Sequence, residues 1–233
     1  MKRILLLSLL ATSGFSQTAE WIYYNKAGDT NSAYRIKPDG TENELIMDNA
    51  GISDISEDGL KILFLDNNGI ISLIDSESMD TLTLDNGGVN ARFTYDENVI
   101  IYYKYMTGDP SGDQLYKYSF IDSSLILIEA GGEAEGQPGE SGGNQIKHIT
   151  MSPDKQKVAF LRYHPSGDNI EVMVADIQSG EASILGTFPS LGNNCTNDII
   201  AGGGYQTYWA EDDYIYFTIC ETSTEHQLLK IHS

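Results

Sequence analysis

Ile149-Thr150-Met151-Ser152-Pro153-Asp154-Lys155-Gln156-Lys157-Val158-Ala159-Phe160 sets the reading of this chain, because its pattern returns at intervals along the sequence. A short β-rich run leads into a Ser/Thr-x-Asp turn, and a strongly apolar strand follows. The same turn stands at Ser56-Glu57-Asp58-Gly59 and Thr94-Tyr95-Asp96-Glu97, and at Ala210-Glu211-Asp212-Asp213 with Ala in first place. The strands behind these turns are Lys61 to Leu65, Val99 to Tyr103, Lys157 to Leu161 and Tyr214 to Ile219. A period of this length built on short strands signals a repeat architecture rather than a layered one.

Working outward, a second turn type is interleaved with the first. It occurs at Lys37-Pro38-Asp39-Gly40, Asp75-Ser76-Glu77-Ser78, Asp122-Ser123-Ser124 and Asp176-Ile177-Gln178-Ser179-Gly180. Pro presets φ, Gly permits positive φ, and Asp or Ser bonds the backbone two residues on. Each of these turns is flanked by strand-like runs: Ala33 to Ile36 and Glu44 to Met47, Ile70 to Ile74 and Thr81 to Leu84, Leu115 to Phe120 and Leu125 to Ile128, Ile170 to Ala175 and Ala182 to Leu185. The unit is therefore four antiparallel strands, a to d. No window carries an i, i+3, i+4, i+7 apolar stripe long enough for a helix.

The segments Ile149 to Phe160 and Ile52 to Phe64, with Tyr34-Arg35-Ile36-Lys37-Pro38-Asp39-Gly40 as the second half of a unit, resemble the repeat of TolB-like propellers. The expected fold is an all-β β-propeller of about five four-stranded antiparallel blades, in units of roughly 20–51, 52–88, 89–144, 145–195 and 196–233. Trp21 to Met47 supplies b, c and d without a clear a, and Tyr205 to His232 supplies a, b and c without a clear d. The terminal blades are thus incomplete, and the ring is expected to be open or truncated. The resemblance implies a periplasmic protein-interaction role, although fold alone does not fix function.

Export is also expected from Met1-Lys2-Arg3, the apolar run Ile4 to Ala11 and the small residues up to Ser16, which read as a signal peptide over 1–16 ahead of a propeller domain over 17–233. That apolar run falls short of the roughly 20 residues of a transmembrane helix, and no longer one occurs. No Cys lies beside the cleavage site, so a lipoprotein-type anchor is not indicated. With 34 acidic against 14 basic residues and a formal charge of −20, nucleic acid and anionic membrane are disfavoured as partners, while cations and basic partners are favoured.

Antiparallel strands place alternate connections on opposite sides, so a–b and c–d turns share one face and b–c and d–a loops the other. The first set is short. The second is long and varied: Ala27 to Ser32, Lys104 to Gln114, Gly131 to Asn144, Tyr163 to Asn169, Gly186 to Gly204 and Glu221 to Glu225. Loops on a rigid scaffold carry function, which makes the long-loop face the expected binding face, with Asp29, Asp109, Asp113, His164, Asp168, Asp198 and His226 as its candidate contacts. Asp109 and Asp113 are weak candidates for Ca²⁺, an ion that takes six to eight oxygens. Their loop lacks the alternating acidic spacing of a known calcium motif, so no firm cofactor is expected.

In an exported chain, Cys195 and Cys220 are candidates for one disulfide, clipping the Gly186 to Gly204 loop to its blade with about 3 kcal/mol of stabilisation. The sequence contains no Gly-x-Ser-x-Gly elbow and no His-Glu-x-x-His motif. His148, beside an inner strand, reads as a structural histidine. The expectation is therefore a non-catalytic module binding an envelope or extracellular protein, peptide or glycan. The alternatives are a polysaccharide- or peptide-active enzyme of propeller fold, or a fragment of a longer propeller.

Overall fold

The computed structural model describes residues 21–26, 32–106, 112–129, 145–163, 169–189, 207–222 and 225–233, and every regular element among them is a strand. Sheet 1 holds β1 (Ile22–Lys26), β2 (Ser32–Ile36) and β3 (Glu44–Met47). Sheet 2 holds β4 (Ala50–Ile55), β5 (Lys61–Asp66), β6 (Ile71–Asp75) and β7 (Thr81–Asp85). Sheet 3 holds β8 (Gly88–Phe93), β9 (Val99–Met106), β10 (Gly112–Ser119) and β11 (Ser124–Glu129). Sheet 4 holds β12 (Gln145–Met151), β13 (Lys157–Tyr163), β14 (Asn169–Asp176) and β15 (Ala182–Pro189). Sheet 5 holds β16 (Tyr208–Trp209), β17 (Tyr214–Thr222) and β18 (Glu225–His232). Each sheet is an up-and-down antiparallel meander, so neighbours in sequence are neighbours in space. The architecture is a β-propeller, and among the described residues each terminal blade has three strands, as the strand pattern foretold.

The period of two along each second strand explains how the blades stack. In β5, Ile62 and Phe64 pack towards sheet 1 with Ala33, while Leu63 packs with Phe93, Ile100 and Tyr102 of sheet 3. In β9, Ile101 and Tyr103 turn the other way and meet Val158 and Phe160 of sheet 4. In β13, Ala159 and Leu161 face Trp209, Ile215 and Phe217 of sheet 5. A strand that serves two cores must be apolar on both faces, which is why these runs show no polar alternation. The outer strand β7 has one core to serve and exposes Thr81, Leu82 and Thr83 while burying Leu84. Among the described residues no core cluster joins sheet 5 to sheet 1, and Ile22, Leu45, Tyr208 and Leu228 are exposed on the two terminal sheets.

The recurrent turn is a hydrogen-bonded knot. Ser152 Oγ donates to Asp154 Oδ1 at 2.6 Å and accepts the Lys157 N–H at 2.9 Å, and Asp154 Oδ1 also accepts the Gln156 N–H at 3.0 Å. Ser56, Asp58, Leu60 and Lys61 repeat it at 2.7, 2.8 and 2.9 Å. At Thr94 the hydroxyl instead donates to the Asp96 carbonyl at 2.9 Å, and at Ala210 only the Asp212 acceptor for the Tyr214 N–H remains. These side chains satisfy turn donors that no strand reaches.

The turn carboxylates titrate accordingly. Hydrogen bonds from Ser152 and Gln156 hold Asp154 below the ordinary carboxylate value of 3.8, backbone N–H groups of Ser78 and Glu77 do the same for Asp75, that of Ser179 for Asp176, and Ser124 for Asp122. For Asp58 partial burial pushes upward, but bonds from Ser56 and Leu60 prevail and the carboxyl is lowered. A carboxyl depressed in the folded state stabilises above its unfolded value and loses that contribution as pH falls through the folded value. Thermal denaturation followed by circular dichroism is therefore expected to give a steady Tm down to about pH 5 and a progressive fall below about pH 4. A Tm that rises between pH 4 and pH 3 would contradict this assignment.

Gly88 opens β8 where sheets 2 and 3 close on each other. A Cβ there would lie 2.3 Å from Ile71 Cδ1, 2.8 Å from Ile71 Cγ1 and 3.1 Å from Tyr102 Cδ2, and both neighbours are fully buried. Gly88→Ala is expected to cost about 1–3 kcal/mol in urea unfolding through overpacking. A loss under about 0.5 kcal/mol would mean that Ile71 finds another rotamer.

Candidate functional site

The inner strands β4, β8, β12 and β16 run side by side along the propeller axis. Counting back two residues from each recurrent turn gives Asp54, Arg92, Thr150 and Tyr208, and all four line one recess of about 620 Å³. The turn is constant because the backbone needs it. The residue two places before it differs in each of the four sheets that carry the turn and lines the recess.

Bulges produce that presentation. β4, β8 and β12 each carry an extra residue against their second strand, with register shifts at Ile52/Asp54, Val89/Arg92 and Lys147/Thr150. A bulge re-aims the side chains that follow it. At equivalent places in β8 and β12, Asn90 and His148 have φ of 54° and 56°, and both line the recess. Both residues hold left-handed backbone at the same place in their blades, within the register shift of the strand.

Bonds between blades fix the walls. Asp54 Oδ2 accepts the Phe93 N–H at 2.8 Å while Oδ1 accepts the Ile55 N–H at 3.0 Å, so both oxygens serve the scaffold. Ser53 Oγ donates to the Ala91 carbonyl at 2.8 Å, Arg92 Nη1 donates to the Ser53 carbonyl, and the Thr207 hydroxyl donates to the His148 carbonyl. At the rim the Tyr95 N–H donates to the Lys155 carbonyl at 3.1 Å, joining the turns of sheets 3 and 4. On the sheet 1 side, Asn25 of β1 bonds across to β4: its amide accepts the Ile52 N–H at 2.7 Å and donates to the Ile52 carbonyl at 3.2 Å.

The recess opens beside Ser152, Pro153 and Lys155, on the face of the short turns. Sequence reasoning looked to the opposite face. Of its candidates, Asp29, Asp109, His164, Asp168, Asp198 and Cys195 lie outside the described residues, as do residues 1–16. Cys220 and His226 are register partners across β17 and β18. Asp113 is placed differently from the loop expected for it: β9 and β10 run to Met106 and from Gly112, and Asp113 sits inside β10, fully buried, with Oδ2 accepting the Ile146 N–H at 3.0 Å. It ties sheet 3 to sheet 4. His148, expected as a structural residue, lines the recess while its carbonyl takes a blade-to-blade bond. Tyr208, one of several strand tyrosines expected to be mostly core between blades, is instead exposed at the recess, and Arg92 and Thr150 were not singled out, although aligning the repeats on their turns would have shown a variable polar residue at one fixed offset in an inner strand.

Comparison with known proteins fits this architecture. No protein-family model and no curated protein matches the chain. Among solved structures, TolB from Acinetobacter baumannii is 22% identical with a TM-score of 0.56, over 92% of this chain and 52% of that one. Oligopeptidase B from Leishmania major is 12% identical with a TM-score of 0.54, over 91% and 31%. A puromycin-hydrolysing peptidase of Mycobacterium tuberculosis is 8% identical with a TM-score of 0.59, over 93% and 35%. The fold is that of a TolB-like β-propeller, and the chain spans about half the length of that TolB and about a third of each peptidase.

Proposed function

We propose that this chain is an exported, non-catalytic binding module, periplasmic or secreted, that recognises a protein, peptide or glycan on its propeller ends. The observation that carries the reading is the recess. Its four inner-strand residues Asp54, Arg92, Thr150 and Tyr208 vary in chemistry on a repeated backbone, which is how a rigid scaffold presents recognition groups. Export rests on the leader-like residues 1–16, and the long-loop residues Asp29, Asp109, His164, Asp168 and Asp198, with His226 at the start of β18, form the second surface of the proposal. The formal charge of −20 would steer basic or cation-bridged partners towards the outer surface.

The test is capture from a cell-envelope extract by the immobilised protein, run beside variants altered only on one propeller face. Retention of one partner that is lost on altering a single face supports the module. Turnover of pectin-like or peptide substrates by the purified protein would overturn the non-catalytic reading. A thermal shift at millimolar Ca²⁺ would add an ion to the long-loop face, and no shift would remove it.

A further inference from the structure

In an acid-rich protein, the axial recess holds cations without carboxylate partners among the described residues. Of the described arginines, Arg35 pairs with Glu44 at 2.7 Å and Arg162 with Glu129 and Glu171 at 2.6 Å each, whereas Arg92 pairs with no carboxylate among the described residues. One of its N–H groups goes to the Ser53 carbonyl, which anchors the guanidinium at the recess wall. Lys155, at the rim, likewise has no carboxylate partner among the described residues. The one acid lining the recess, Asp54, has each oxygen engaged by a backbone N–H. With 34 acids to 14 bases in the chain, an unpaired arginine and lysine at one recess is a local reversal of charge.

We infer that this recess takes a carboxylate of an acidic peptide segment, held by the Arg92 fork and Lys155, with the Thr150 hydroxyl and exposed Tyr208 alongside. A guanidinium already tethered on one edge offers its remaining N–H groups in fixed geometry, the arrangement that suits a planar carboxylate. A peptide is favoured over a glycan because the bulge in β8 interrupts strand pairing at Asn90, which lines the recess; at β12 the His148 carbonyl is already taken by Thr207. The recess would thus select acidic segments that the remaining, negatively charged surface repels. This assignment rests on the binding-module reading above and specifies the ligand of its described site.

The experiment is titration of the full chain by calorimetry with an acetylated, amidated hexapeptide of alternating Glu and Gly, its Gln counterpart, and a peptide whose only carboxylate is its C-terminus. The Glu peptide is expected to bind about tenfold or more tightly than the Gln peptide, and the preference to collapse in Arg92→Gln and weaken in Lys155→Gln. Circular dichroism melts check that both variants fold, and Lys155→Gln, at the rim, keeps the test alive if Arg92→Gln does not. Binding of the C-terminal carboxylate alone would identify a chain terminus as the source. Equal affinity for Glu and Gln peptides, no binding of either, or Arg92-dependent binding of an oligouronate but not of the peptide would each overturn the inference. If the envelope partner is captured through the long-loop face while the peptides fail, the module reading survives and only this assignment falls.

Discussion

Phe160→Ala is expected to destabilise the protein by about 3–5 kcal/mol, the range for deleting a buried aromatic side chain that its surroundings cannot refill. Phe160 is fully buried and belongs to the core between sheets 3 and 4, where it packs with Ile101, Tyr103, Leu115, Ile146 and Met173. The core on the other side of β13 is built from Ala159 and Leu161, so the cavity opens on one side of the strand only. Urea unfolding followed by fluorescence and circular dichroism measures the loss, and a value under about 1 kcal/mol would show that the two sheets close over the gap. Phe160→Leu, which keeps most of the volume, is expected to recover more than half of the loss.

A second large effect is expected at the ion cluster that ties sheet 3 to sheet 4. Arg162 Nε donates to Glu171 Oε2 and Nη1 to Glu129 Oε1, both at 2.6 Å, with side-chain exposures of 16%, 10% and 17% for Arg162, Glu171 and Glu129. Arg162→Ala removes the cation from between two carboxylates, and breaking such a cluster costs more than its formation contributed. Residual solvent contact screens the repulsion, so the expected loss is about 2–4 kcal/mol, below the range of a fully dry pair. Adding Glu129→Gln to Arg162→Ala is expected to restore about 1 kcal/mol, since it removes one of the two like charges. A double variant no more stable than Arg162→Ala would place the loss in packing of the arginine stem instead.

Both effects sit where blades meet, and those meetings were legible in the sequence to different degrees. The apolar runs Lys61 to Leu65, Val99 to Tyr103 and Lys157 to Leu161 announced strands buried on both faces, and the Ser-x-Asp turns announced their starts. The Arg162 cluster was not announced, because Glu129 lies 33 residues away and reaches Arg162 only once sheets 3 and 4 stack. Asp113 illustrates the same limit. Its neighbours Gly108, Asp109, Pro110, Ser111 and Gly112 read as a polar loop, yet hairpin pairing continues to Gly112–Met106 and buries Asp113 against β12. A local polar composition does not reveal a backbone donor, here the Ile146 N–H, waiting on the next sheet.

What the sequence determined by itself was the list of strands and their grouping into units of up to four, since turn chemistry and period-two patterning act within a few residues. What only the tertiary structure decided was which face holds a recess and which side chains meet there. Asp54, Arg92, Thr150 and Tyr208 are far apart in the chain, and they converge because the inner strands of four different blades, three of them bulged, share one axis. The charge of Arg92 was visible from the start. That no carboxylate of the described chain reaches it is a property of distances, which exist only once the blades are stacked.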